Sequence, residues 1–349
     1  MNYNIQRIGI LTGGGDCPGL NAVLRAVVRR AMNDQVTVLG IKNGWAGLIS
    51  GRIGVLDRDD VSGILPRGGT IIGTSRVQPL GEPEFLPLIR SNWEKHGLQA
   101  LIVVGGEGTL RAANEMYNEH GFPIVGIPKT IDNDLCGTDY TIGLDSAVAV
   151  VTEAIDRLHS TAESHHRVMV LEVMGRHTGW IAALGGIAGG ADIVLVPEVP
   201  FRLSQVCEAL LHRRRTGRQF SIVVVAEDAK PHPQEDFLSE EQKGIIYRHE
   251  RLGGIGQILA NQIEECTGIE ARVAVLGYMQ RGGSPTAFDR VLGTRLGIKA
   301  YEMVIAREFG RMAAIQGLHI TSVPLAEAVS NLKPVDLDLY RAAGIFTGK

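Results

Sequence analysis

The stretch RIGILTGGGDCPGLNAVLRAVVRRAM, residues 7–32, decides the fold. Its apolar run Ile8–Leu11 reads as a strand, and Gly13-Gly14-Gly15 through Gly19 read as a tight loop. Leu20, Val23, Leu24, Val27, Val28 and Ala31 then fall on one face of a helix. The same sequence of events recurs along the chain. Short apolar runs predict strands at Val36–Ile41, Ala100–Val104, Pro123–Ile127, Val168–Val173, Ile193–Val196, Ser221–Ala226 and Val273–Leu276. Most are continuously apolar rather than alternating, as strands covered on both faces are. Strand, loop and helix in repetition predict an α/β fold with parallel sheets, and 349 residues are long for one core, so two domains are expected.

Net charge is −3, so no bulk field recruits nucleic acid or an acidic membrane, and an anionic ligand must be held by local groups. The 44 glycines gather in clusters such as Gly13–Gly15, Gly105-Gly106 and Gly253-Gly254, where backbone can approach a ligand closely. Cys17, Cys136, Cys207 and Cys266 are widely spaced without a metal-ligand pattern, which fits a reducing compartment. The N-terminus lacks a signal-peptide layout and no apolar run reaches spanning length, so a cytoplasmic protein is expected. The polar stretch 228–245 reads as an exposed excursion.

In parallel sheets ligands sit beyond the carboxyl ends of the strands, so the loops there carry the chemistry. The first is TGGGDCPGLN, whose amides and following helix can cradle phosphate, although a simple tight turn explains it too. GGEGT, residues 105–109, repeats the layout and adds Glu107 as a hard oxygen ligand for Mg²⁺; favourable charge at a helix start is the bland alternative. PKTIDND, residues 128–134, crowds Lys129, Thr130, Asp132 and Asp134 past a strand end. Arg76, Arg167, Arg176, Arg272 and Arg281 flank strand ends or glycine loops and match phosphate oxygens bidentately. Arg25 and Arg29 at i, i+4 with Arg58 read by default as solvated charges, and His165-His166 as non-metal. Trp45 suits either a base stack or the core edge.

With these motifs in order, the chain resembles the bacterial 6-phosphofructokinases from about residue 7 to about residue 335. GILTGGGDCPGLNAVLRAVVR, RGGTIIGTSR, VVGGEGTL, PKTIDND, VTEAIDRL, EVMGRHTGW and QRGGSPTAFDR carry the resemblance, and TIDND with MGR and QRGGSP is its specific part. It implies two doubly wound, Rossmann-like parallel-sheet domains with the active site in the cleft between them. A phosphodonor domain would take residues 1–142 plus about 279–328, and a fructose 6-phosphate domain 143–278 plus 329–349. The implied reaction is Mg²⁺-assisted phosphorylation of fructose 6-phosphate to fructose 1,6-bisphosphate in glycolysis.

By the same resemblance Asp132 is the general base, Thr130 and Asp134 its neighbours at the acceptor, and Arg176 the arginine on the transferring phosphoryl group. Met174, Gly175, Glu227 and Arg281 match sugar-phosphate positions, Tyr278 replaces the usual histidine there, and Arg167 and Arg272 match groups reaching in from a neighbouring subunit of a homotetramer built from dimers. Gly15, Arg76, Gly106, Glu107, Gly108 and Thr109 match the donor site, with Glu107 at the metal position. At the family's effector site Arg25, Arg29, Arg58 and Asp192 match, while His159 replaces an arginine and Arg218 lies in a lysine-poor segment, so regulation is not implied. Gly108 matches ATP users and Lys129, expected to face the donor, matches pyrophosphate users. A lysine can swing aside but a carboxylate against an anion cannot, so Gly108 points to ATP. Pyrophosphate dependence is the alternative, and a catalytically silent sugar-phosphate sensor is one of another class.

Overall fold

The computed structural model describes residues 5–235, 238, 239, 242 and 253–344, so residues 236, 237, 240, 241 and 243–245 of the expected excursion lie outside the described residues. The chain forms two compact units: Met1–Ser146 with Arg281–Leu332, and Ala147–Gln280 with Lys333–Lys349.

In the first unit the expected runs form β1 (Arg7–Thr12), β2 (Thr37–Ile41), β4 (Ala100–Gly105) and β5 (Ile124–Pro128). Three strands join that the apolar runs did not predict: β3 (Ile53–Leu56), β10 (Arg311–Gln316) and β11 (His319–Pro324). The sheet order is β11-β10-β5-β4-β1-β2-β3. Its interior is parallel, and both edges are finished by antiparallel pairs, β2 with β3 and β10 with β11. β4 and β5 are buried at every position, which is why they read as unbroken apolar runs.

Helix Leu20–Asn33 buries the predicted face, Leu20 to Ala31. It packs against helix Ala287–Ile305, where Gly293 and Gly297 let the backbones meet. A methyl group at either would come 3.0 Å from the carbonyl oxygen of Gly19 or Val23. Trp45 is 1% exposed and packs with Leu11, Ile41, Leu48 and Ile89. Of its two expected places, it takes the core.

The second unit holds β6 (Val168–Val173), β7 (Ile193–Leu195), β8 (Ser221–Ala226) and β9 (Ala271–Val275) in the all-parallel order β7-β8-β6-β9. Glu172 breaks the apolar run of β6 and is nonetheless buried, because Gly254 and Gly256 donate their N–H groups to its carboxylate at the start of helix Ile255–Thr267. The helix dipole and free first-turn amides there make a carboxylate stable out of water.

Two expectations change. Cys207 and Cys266, 59 positions apart, form a disulfide between helices Leu203–Arg215 and Ile255–Thr267, so the cysteine argument for a reducing compartment does not hold for this pair. Asp228, Ala229, Pro231 and Leu238 are buried, so the described part of 228–245 is not an exposed excursion. No helix among the described residues is long and apolar enough to cross a membrane.

Candidate active site

In the first unit β1, β4 and β5 are neighbours, so the loops beyond them adjoin. Gly13 donates its N–H to Val104 O at 2.9 Å, and Lys129 its N–H to Gly105 O at 2.9 Å. The Gly14 N–H goes to Ser75 O at 2.9 Å, and Gly14 O accepts from Thr74 Oγ1 at 2.7 Å. The amides of Gly13 and Gly14, expected to cradle phosphate, are therefore already occupied by backbone.

The amides at the start of helix Glu107–Asn118 are placed better for that task. Gly106 caps this helix without a side-chain bond, and first-turn amides have no partner inside a helix. A methyl on Gly108 would meet nothing nearer than Gln78 Nε2 at 3.7 Å, so the space before this turn is open. Thr109, 7% exposed, backs the first loop instead: a methyl on Gly13 would lie 2.6 Å from its Cγ2. Arg111 Nε donates to Glu107 Oε1 at 2.6 Å, and its Nη2 shares that oxygen. Glu107 Oε2 makes no hydrogen bond among the described residues. One carboxylate oxygen plus donor phosphates is how Mg²⁺ is commonly held, so the residues present fit this ion. No group of three or more His, Cys, Asp or Glu suited to a metal occurs among the described residues.

Lys129 is 2% exposed. Its Nζ donates to Gly13 O at 2.9 Å and to Gly15 O, so the side chain expected to face the donor turns onto the loop's own carbonyls. Burial lowers its pKa, and the nearby Arg281 adds to the effect. Burial pushes the adjacent Cys17 thiol up to about 12, and its Sγ donates to Ile142 O at 3.3 Å, so it is an inert packing group. Arg281, matched to the sugar phosphate, lies across Gly15 and donates to Asp16 O at 3.2 Å. A methyl on Gly15 would meet Arg281 Nη1 at 2.7 Å, so a side chain there would displace the guanidinium from the loop. Arg76 is exposed one residue after Ser75, which holds Gly14.

Thr130, Asp132 and Asp134 are buried at 7%, 4% and 6% exposure. Asp132 N–H donates to Thr130 Oγ1 at 3.1 Å. Between the two carboxylates sits Asn133, whose φ of 51° is left-handed, a conformation asparagine tolerates. Its Oδ1 accepts from Thr141 N–H at 2.9 Å and its Nδ2 donates to Asp139 O at 3.0 Å. Asn133 thus locks the segment that points the carboxylates. Sequence reasoning missed this role, though an asparagine flanked by two aspartates was its signal.

In the second unit the loops after β6 and β8 lie side by side, because the register pairs Val173 with Ala226. Met174 N–H donates to Gln280 Oε1 at 3.2 Å, and Arg176 N–H to Glu227 Oε1 at 3.0 Å. Arg176 adopts a φ of 49°, a conformation that this loop's bonds must maintain. A cavity of about 170 Å³ is lined by Glu172, Met174, Glu227, Val275, Gly277 and Tyr278. The structure thus gathers Met174, Gly175, Arg176, Glu227 and Tyr278 at one sheet edge.

Arg167 and Arg272 are not part of that gathering. Arg167 directly precedes β6 and Arg272 is the second residue of β9, opposite Met169; Arg167 Nε binds Glu270 at 2.7 Å and Arg272 pairs with Glu270 and Glu264. The six residues of β6 put about 20 Å between Arg167 and the edge that carries Met174. Asp192, His159 and Arg218 line a separate cavity of about 550 Å³, in which Asp192 already pairs with Arg213; burial raises the Asp192 pKa.

Residues 7–304 match the family described as Phosphofructokinase. The chain is 52% identical over 344 residues to a pyrophosphate--fructose 6-phosphate 1-phosphotransferase of Streptomyces coelicolor, covering 98% of this chain and 100% of that protein. It is equally 52% identical over 339 residues to ATP-dependent 6-phosphofructokinase 3 of the same organism, covering 97% and 99%. Among solved structures it resembles Pichia pastoris phosphofructokinase in the T-state, with a TM-score of 0.80 and 36% identity over 95% of this chain, and spans 36% of that longer chain.

Proposed function

Since the chain belongs to the phosphofructokinase family, we propose that it transfers the terminal phosphoryl group of ATP to the 1-hydroxyl of fructose 6-phosphate, giving fructose 1,6-bisphosphate in glycolysis. The first unit serves the donor and the second the sugar phosphate. One observation carries the choice of ATP: Lys129 is spent on Gly13 O and Gly15 O while the turn at Gly108 faces open space. A buried lysine tied to backbone does not neutralise a small donor, and an open turn leaves room for an α-phosphate.

Phosphoryl transfer needs an oriented hydroxyl and countercharge in an in-line geometry more than covalent help. Asp132 takes the proton of the sugar hydroxyl as it attacks. Thr130 and Asp134 hold the acceptor beside it, and Arg176 and Arg76 meet charge on the transferring group. The first turn of helix Glu107–Asn118 offers amides to the donor phosphates, and Glu107 would hold Mg²⁺, which would supply charge neutralisation. Met174, Gly175, Glu227, Tyr278 and Arg281 hold the sugar phosphate. Arg167 and Arg272 sit away from these groups within one chain, which supports their serving a neighbouring subunit of a homotetramer.

The test is purified protein with Mg²⁺ and fructose 6-phosphate, supplied with ATP or pyrophosphate in turn; turnover with pyrophosphate alone refutes the donor assignment. Pyrophosphate dependence remains the second reading, favoured by the likeness to the pyrophosphate-named relative. Replacing Asp132 with Ser is expected to cut kcat by about 10²–10⁴ with sugar-phosphate binding retained, and unchanged turnover would remove Asp132 as base, whereas a wild-type protein that binds the sugar phosphate without turning over either donor is the silent sensor.

A further inference from the structure

His177 follows Arg176 directly, and Asp228 follows Glu227 directly. The register that binds Arg176 N–H to Glu227 also brings these next residues together: His177 Nδ1 lies 2.8 Å from Asp228 Oδ2. The carboxylate is buried at 5% side-chain exposure and takes a second partner in Lys230 Nζ at 3.3 Å. The imidazole is different, with 44% of its side chain exposed. Its Nε2 makes no hydrogen bond among the described residues.

A buried carboxylate on Nδ1 fixes both the orientation and the tautomer of an imidazole: Nδ1–H donates to Asp228 and Nε2 is left as an acceptor. A ring anchored on one nitrogen and open on the other is built to meet something at Nε2. It stands one residue from Arg176, in the loop that also carries Met174 and Gly175. Tyr278, which lines the cavity with Met174 and Glu227, has no imidazole to offer the sugar.

We propose that His177, oriented by Asp228, is a further acceptor-binding residue whose Nε2 accepts a hydrogen bond from a hydroxyl of the sugar phosphate. This rests on the phosphofructokinase reading. It differs from a purely structural clamp, in which the Nδ1 bond alone matters.

Two replacements separate these roles, because an asparagine amide reaches the Nδ1 position and a glutamine amide the Nε2 position. Fructose 6-phosphate is varied at saturating donor with the full-length chain, and thermal midpoints are recorded alongside. His177→Asn, which can keep the bond to Asp228, is expected to raise the fructose 6-phosphate KM about tenfold, the size of one lost polar contact, with kcat and donor KM changed by less than about twofold. His177→Gln is expected to recover most of that loss. A wild-type KM in His177→Asn overturns the proposal, as does a His177→Gln variant no better than His177→Asn. Should His177→Asn not fold, Asp228→Ala, which removes the acceptor that orients the ring, replaces it: a raised KM at unchanged kcat supports the oriented ring, and an unchanged KM refutes it. Absence of wild-type turnover with either donor would overturn the functional reading itself, whereas normal wild-type turnover with an unchanged variant overturns this assignment alone.

Discussion

Replacing Lys129 with Met tests whether this side chain is a strut of the donor loop or a ligand of the donor. The ammonium is 2% exposed and bound to Gly13 O and Gly15 O, while methionine fills a similar volume without a donor group. Two carbonyls would then lose partners out of water, at about 1–3 kcal/mol each. Part of that loss is returned because a desolvated charge, whose pKa burial already lowers, is gone as well. A net destabilisation of about 3 kcal/mol is expected, which for a unit of this size lowers the thermal midpoint by about 6–12 °C. On the proposed function this loop borders the donor whichever it is, so kcat/KM for ATP and for pyrophosphate should fall in parallel, with their ratio moving less than about threefold. The assay is calorimetry beside steady-state kinetics with both donors. An unchanged midpoint with a tenfold or larger change in that ratio would refute the strut and return Lys129 to direct contact with the donor.

Gly108→Asp places a carboxylate in the open space before the first turn of helix Glu107–Asn118, with only Gln78 Nε2 nearby. It should cut kcat/KM for ATP by tenfold or more, about 1.4 kcal/mol of charge repulsion, while sparing pyrophosphate; equal losses would refute this view of the turn. Asp289 is buried and accepts from Gly143 N–H, Ser146 N–H and Ser146 Oγ, and burial raises its pKa from 3.8 to about 6. Because the folded value is the higher, its stabilising contribution is full below pH 3.8 and is lost as pH rises through about 6. The stability of wild type relative to Asp289→Asn should therefore fall by about 2 kcal/mol between pH 4 and pH 7, read from urea midpoints, and a pH-independent difference would contradict it.

The parallel strands were legible because burial on both faces writes unbroken apolar runs. The edge strands were not. Ile53–Leu56 is short and half exposed, and Arg311–Gln316 with His319–Pro324 form a hairpin across Gly317-Leu318, with Gly317 at φ 58°. A hairpin announces itself by alternation and a two-residue turn rather than by apolar run length. Glu172 was likewise hidden in an apolar run, since its partners lie 82 and 84 positions later.

The candidate site divides in the same way. Thr130, Asp132 and Asp134 were readable because a strand end, a proline and a polar crowd are all local. So were the glycines before helix Glu107–Asn118. By itself the sequence determined the buried parallel strands and the amphipathic first helix, because those properties follow from neighbours a few residues apart. The directions of Lys129 and Arg281, and the pairing of His177 with Asp228, depend on partners 116, 265 and 51 positions away. Only the packing of elements distant in sequence brings such partners within bonding distance, so only the tertiary structure could decide that Lys129 braces the first glycine loop and that His177 keeps one nitrogen without a partner among the described residues.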